Sequence, residues 1–423
     1  PPPPPPPPYF FLMIRRPPIS PRFPYTTLFL SLNVGESTRS LVGHLSVIED
    51  PRDALKSRHK LLDILVIAVA AVICGADTWV AVADFGRAKE AWLRKFLELP
   101  NGIPAHDTFG RVFALLAPEA LEACFRAWVT SIRQVLPEEI VAIDGKSVRR
   151  SHDRGAGLAP LHLVSAWAVA NRVVLGQVAT DAKSNEIEAI PRLLETLFLA
   201  GCIVTIDAMG CQTKIAEKIV ERGGDYLLAL KGNQETLAAE VEEAFIDADA
   251  NDYAGLDSRF LETVEHGHGR TEIRRYRTLG DLSGVPRSAL WKGMNMIGMV
   301  ESQRDVAGKV SQEVRYFIGS IGTDVERFAR AARGHWAIEN DLHWSLDVAF
   351  AEDASRVRET NARENFAVLR QMALVRLKND RSLKSGIKIR RLVAGWNEDY
   401  LAKLLFDPPP EPDISATPNI RKA

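Results

Sequence analysis

Hydrophobic residues along the chain change their spacing in blocks, and each block predicts a different kind of element. From His59 onward the spacing is helical, and residues 64–75 are apolar almost without interruption. A bilayer span needs roughly 20 such residues, so this run predicts a helix buried in a protein core and no membrane association. Asp107 and Thr108 read as the cap of a further helix, whose Phe109, Val112, Phe113 and Leu116 share one face. Helical spacing continues through Trp128 to Val135 and stops before Pro137, so residues 45–138 predict a small all-helical domain.

The pattern then switches. Val141-Ala142-Ile143 is a β-type run that ends on Asp144, Gly145 and Lys146, and Ile203-Val204-Thr205-Ile206 repeats the device before Asp207. Between them lie strand-like runs at 162–170 and 172–179 and a helical stretch at 185–199; a helix at 212–222 and a strand at 226–230 follow. This order predicts an α/β fold with a ribonuclease H-like core, its first and fourth strands side by side. Residues 139–235 hold the first part of that core. Residues 236–322 predict one helix and then β-type runs at 259–265, 271–278, 295–301 and 314–320, a β-rich insertion looped out of the core. Helix returns near Asp324, so 323–385 supply the last core helices and 386–423 a C-terminal tail. Residues 1–35, proline-rich and without usable periodicity, resemble a translated sequencing-adapter read and are set aside as artefactual; a polyproline ligand segment is the alternative.

Composition narrows the reading. With 423 residues, 46% of them hydrophobic, the chain can bury a large core. A net charge of −1 excludes a generally basic, histone-like mode of nucleic-acid binding but leaves local patches. Three exist: Lys146 with Arg149, Arg150 and Arg154; Arg270 with Arg274, Arg275 and Arg277; and Lys384 with Lys388, Arg390 and Arg391. Each reads equally well as a solvated face. The four scattered cysteines form no C-x-x-C pair and no secretory leader precedes them, which predicts reduced thiols in a cytoplasmic protein.

A carboxylate at the end of a buried strand needs a cation or hydrogen-bond donors, because desolvating an unpaired charge is costly. Asp144 and Asp207 are therefore the first candidates for chemistry. In the helix after Asp324, Trp336, Glu339, His343, Leu346 and Phe350 fall along one side at 3.6 residues per turn. Glu339 thus predicts an inward-facing third acid, flanked by aromatics that exclude water. Glu352 reads as a solvated helix end or turn, and an ion pair with Arg363 explains Glu364. A bland alternative pairs Glu339 with Arg333. A rival reading takes His335, Glu339 and His343 as zinc ligands, although their span of more than two turns fits one ion awkwardly. His266 and His268, flanked by glycines, read as a hairpin turn before they read as a metal site.

The stretches Ala142-Ile143-Asp144-Gly145-Lys146, Thr205-Ile206-Asp207-Ala208, Tyr226 to Gln234 and His335 to Trp344 resemble the insertion-sequence transposases with an Asp-Asp-Glu (DDE) active site, specifically the H-repeat-associated group. The resemblance covers residues 45–385, including Pro104 to Phe109, Arg356-Val357-Arg358 and Asn361 to Asn365. It implies that Asp144, Asp207 and Glu339 hold two Mg²⁺ ions, with Mn²⁺ as a substitute, and that no covalent enzyme intermediate forms. It also implies cleavage at transposon ends and strand transfer into double-stranded target DNA by a homodimer, nucleoid-associated when acting. Lys146, Arg149, Lys231, Arg333 and His335 are the implied DNA contacts. Related transposases carry Tyr-x-x-Arg-x-x-x-Glu-x-x-x-x-x-x-Lys on the last helix; here Ala332, His335 and Leu346 stand at the Tyr, Arg and Lys places. A degenerate or domesticated copy that binds DNA without cutting it is the alternative. A ribonuclease or repair nuclease on the same fold is a third, against which the β-rich insertion argues.

Overall fold

The computed structural model describes residues 39–408 apart from 54, 56, 135, 154, 156, 181–185 and 268. The segment 1–35 and the end of the tail lie outside the described residues. Among the described residues the fold opens on helices, the four longest being α1 (Leu61–Ile73), α2 (Trp79–Ala88), α3 (His106–Leu115) and α4 (Pro118–Ile132). Every residue of α1 but Leu62 is buried, as its unbroken apolar run requires. In α3 the N-cap is Ala105, which makes no side-chain bond, so Asp107 is not the cap. It sits in the first turn, where a negative charge complements the helix dipole.

The strands are β1 (Ile140–Val148), β2 (Leu161–Ala168), β3 (Val173–Thr180), β4 (Ile203–Ile206), β5 (Asp225–Leu230), β6 (Ser258–Gly267), β7 (Arg270–Leu279), β8 (Met296–Val306) and β9 (Lys309–Gly319). Between them come α5 (Glu186–Thr196), α6 (Thr213–Glu221) and α7 (Glu235–Ala250). All nine strands form one sheet in the order β3-β2-β1-β4-β5-β9-β8-β7-β6, and β1 lies parallel beside β4. The mixed α/β architecture is as expected, but the β-rich segment is not looped out. Its last strand, β9, pairs antiparallel with β5 from Leu227↔Gly319 to Leu230↔Tyr316 and so continues the sheet. The physical reason is that β5 would otherwise leave an apolar edge unpaired. The β6–β7 hairpin turns at Gly269 with φ 71°, and His266 Nδ1 lies 3.1 Å from Thr271 Oγ1. His268 lies outside the described residues.

Asp324 caps α8 (Val325–Ala337) by accepting from the backbone N–H of Glu326 and Arg327 at 2.9 and 3.0 Å. Phe328 on α8 packs with Tyr276, Met296 and Leu227, so this helix is seated on both halves of the sheet. After a π-helical turn come α9 (Trp344–Phe350), α10 (Thr360–Asn379), α11 (Ile387–Trp396) and α12 (Glu398–Phe406). Asn365 on α10 donates 2.8 Å hydrogen bonds to the carbonyls of Phe113 and Leu116, which ties the opening helices to the end of the chain. Arg391, expected in a basic patch, is buried and donates to the carbonyls of Val72 and Ala349. One apolar core runs from Leu41 to Leu405. No helix among the described residues is long and apolar enough to cross a membrane.

Candidate active site

β1 and β4 are in register at Ile143↔Ile206, so Asp144 and Asp207 follow at the same level of neighbouring strands. Such strands stand about 4.8 Å apart, which brings the two acids together. Asp207 Oδ1 accepts from Met209 N at 3.1 Å and Gly210 N at 3.4 Å and thereby caps the turn Ala208–Gly210. That turn is stapled from beyond β5. The side-chain amide of Asn233 donates to Ala208 O, and that of Gln234 to Cys211 O at 2.9 Å. The Lys-Gly-Asn-Gln motif is thus a bracket for the Asp207 loop, and it leaves Lys231 exposed.

Gly145 has its own explanation on the opposite side of β1. His162 bridges Ser147 Oγ and Glu186 Oε1, 2.7 Å from each. A Cβ at position 145 would fall on the Glu186 carboxyl and 2.7 Å from His162 Nε2. Glycine alone leaves room there.

Glu339 arrives on the turn that follows α8, a helix that crosses β1 and β4. A Cβ at Gly334 would lie 2.7 Å from Ile140 Cδ1, so a glycine lets the helix settle on the strand. The following turn, Ile338–His343, is π-helical, and the wider turn breaks the 3.6-residue register. His343, Leu346 and Phe350 remain buried, but Trp336 and Trp344 are 43% and 62% exposed, and Glu339 stands at the rim. The expected aromatic shield over Glu339 is therefore absent. Its bland partner, Arg333, is engaged elsewhere, 3.0 Å from Glu265.

His343 Nδ1 lies 3.4 Å from Asp144 Oδ2 and 3.7 Å from Glu339 Oε2. One ligand-type atom from each of Asp144, Glu339 and His343 falls within 4.8 Å of the others. Asp207 stands outside that tight group, although its charge acts on Asp144. Burial pushes the Asp144 carboxyl up to about 7; His343 opposes this, while the charges of Glu339 and Asp207 add to it. Glu339 moves the other way, held low chiefly by the neighbouring His343. His335 does not join the zinc set of the rival reading. Its Nδ1 sits 3.2 Å from Thr205 Oγ1, and burial lowers its pKa, so it is also poorly placed to grip a phosphate.

Two other expectations change. Lys146 does not reach outward for DNA: its Nζ lies 2.6 Å from Asp347, 2.8 Å from Glu352 and 3.7 Å from Asp353. Glu352 is not a solvated turn residue; it is 1% exposed, and its second oxygen lies 3.8 Å from Arg370 Nη1. Burial works against both charges, yet each partner more than offsets it, so Lys146 is raised and Glu352 lowered. A lysine two residues after a buried Asp needs its own counter-charge, and that was the available signal. Arg149 does project, 82% exposed, with Asp353 at 3.1 Å. Glu364 lines a separate groove with Glu119 and Arg192.

A family model described as "Transposase DDE domain" matches residues 136–376, and one described as "DDE_Tnp_1-associated" matches 42–129. The chain belongs to the DDE-domain transposase family, whose members use a divalent metal. Within that family it is of the H-repeat-associated type. It is 43% identical over 377 residues to "Putative transposase YncI" of Escherichia coli O157:H7, covering 87% of this chain and 95% of that protein. It is 39% identical over 376 residues to "H repeat-associated putative transposase YhhI" of Escherichia coli K12, covering 87% and 98%. Among solved structures, the piggyBac transposase synaptic complex with hairpin DNA aligns over 91% of this chain and 81% of that chain, at a TM-score of 0.38 and 9% identity.

Proposed function

We propose that this chain is a metal-dependent DNA transposase, which cuts at the ends of its element and joins them to double-stranded target DNA as a homodimer. The supporting observation is the pairing of β1 with β4, which sets Asp144 level with Asp207, together with the arrival of Glu339 beside Asp144 from beyond β9. In this reading the ribonuclease H-like core comprises 139–235 and 323–385, and Asp144, Asp207 and Glu339 hold two Mg²⁺ ions, for which Mn²⁺ substitutes. The donor set fits such ions, being carboxylate-rich and partly shielded. When bound, a metal pair activates the attacking hydroxyl and stabilises the leaving oxygen of an in-line displacement.

The chain's own residues do the rest. The two hydrogen bonds to Asp207 Oδ1 fix that carboxylate and leave its second oxygen for a ligand. The Lys146–Glu352 pair anchors the end of β1 and with it the Asp144 backbone. Arg149 and Lys231, both exposed, offer positive charge to phosphate oxygens beside the acids. Arg333 serves the same end by exchanging Glu265 for a phosphate.

The test is a cleavage and joining assay with full-length protein, DNA carrying the element's ends, and Mg²⁺. Asp207→Asn is expected to retain DNA binding and lose both products. Cleavage by that variant at a near wild-type rate would sink the reading.

A further inference from the structure

His343 is buried beside two of the three acids, and its role is not exhausted by packing. Its side chain is 6% exposed and its Nδ1 faces Asp144 and Glu339 at 3.4 and 3.7 Å. These separations exceed the roughly 2.7–3.2 Å of a well-formed N–H···O bond. They approach the spacing of two ligands on one ion: donors each about 2.0–2.2 Å from a common metal stand about 3.0–3.5 Å apart. The ring's other nitrogen points to the same conclusion. Nε2 is buried and has no hydrogen-bond partner, and Glu352 Oε1, 3.8 Å from Arg370 Nη1, is likewise buried without a hydrogen bond. The two groups are close enough for the charge of His343 to act on Glu352. A histidine that keeps its proton on the side facing a buried carboxylate presents a free lone pair on the opposite nitrogen.

We propose that His343 is a metal ligand through Nδ1, so that the ion held by Asp144 and Glu339 has a mixed oxygen and nitrogen donor set. This rests on the reading of those two acids as metal ligands and goes beyond the acidic trio. Glu352, held by Lys146 and Arg370, is the buried carboxylate on which the charge of His343 acts. The consequence is selectivity. Carboxylate and water suit Mg²⁺, whereas an imidazole nitrogen favours Mn²⁺ and the later divalent metals. The π turn supports the assignment, because it carries both ligands, Glu339 and His343, and sets where their side chains meet.

The experiment uses the full chain without DNA and Mn²⁺ as the probe. Pulsed electron paramagnetic resonance of bound Mn²⁺ reads a directly coordinated nitrogen, and calorimetry gives the Mn²⁺ and Mg²⁺ affinities. Wild-type protein is expected to show the nitrogen coupling, to shift it on ¹⁵N-histidine labelling, and to favour Mn²⁺. His343→Gln should lose the coupling while still binding Mn²⁺, with a Mn²⁺ preference reduced about tenfold; His335→Gln should keep both. If His343→Gln does not fold, His343→Asn and the labelled wild type carry the test. Mn²⁺ bound without nitrogen coupling would overturn the role of His343 and leave the carboxylate site standing. No Mn²⁺ binding at millimolar concentration would overturn both.

Discussion

Strands β2 and β9 belong to one hydrogen-bonded sheet, yet every residue of β2 is buried while the first six of β9 are exposed. Helices pack against each of the first five strands, whereas α8 is the helix that crosses both β6 and β7. The difference shows in side-chain chemistry. Polar groups in the first half are matched internally, as with Lys146 and Glu352 or His162 and Glu186. In the second half, pairs such as Arg275–Glu262 lie open to water, 2.8 Å apart and 38% and 39% exposed. One half can therefore shape a site electrostatically, because its charges are poorly screened, and the other presents a surface.

The sharpest way to break this contrast is at the site itself. Asp144→Asn removes a metal-holding charge worth several kcal/mol in the reaction, so strand cleavage is expected to fall about a thousandfold or more, with the melting temperature held or raised. Unaltered cleavage would refute the assignment. Next is the ion cluster behind it. Lys146→Ala leaves the Glu352 carboxylate buried without its nearest cation, and such broken pairs cost about 3–5 kcal/mol; urea unfolding at pH 7 measures it, and a cost below about 1 kcal/mol would mean the cluster is solvated.

A third variant separates the halves by pH. Glu122 on α4 is buried against β3, where Gln177 N donates to it at 3.0 Å, and burial raises its carboxyl to about 7. Its unfolded value is lower, so between pH 4.5 and about 7 the native state binds more protons and stability falls as pH rises. Above 7 the loss is complete, on the order of 3 kcal/mol. Glu122→Gln is therefore expected to be more stable than wild type at pH 8, by up to that amount, and to show no such gain at pH 4. Melting curves at the two pH values decide it. The smallest effect belongs to the open half: Arg275→Ala should cost under about 1 kcal/mol.

Much of this arrangement was legible in the sequence, and the failures have identifiable causes. The two Asp-ending strands and the return of helix at Asp324 follow from period and turn chemistry, which are local, and the adjacency of β1 and β4 from the element order of a ribonuclease H-like core. The pairing of β5 with β9 is not local, since nothing in either strand's pattern names its partner. Nor does a 3.6-residue count foresee a π turn, which is why the tryptophans came out exposed and Glu339 at the rim. Glu352 was misread because its burial depends on Lys146 and Arg370, both distant in the chain.

The continuity of the sheet also sets a timetable for synthesis. β5 leaves the ribosome long before β9, the strand that covers its edge, roughly 80 residues later. At about 5–20 residues per second, that edge waits roughly 4–16 s for its partner. During this interval the run Tyr226 to Leu230 is an open template for any extended apolar segment, including the same run on a neighbouring nascent chain. Slowing translation between β5 and β9 should therefore lower the soluble yield of this chain more than slowing it after β9.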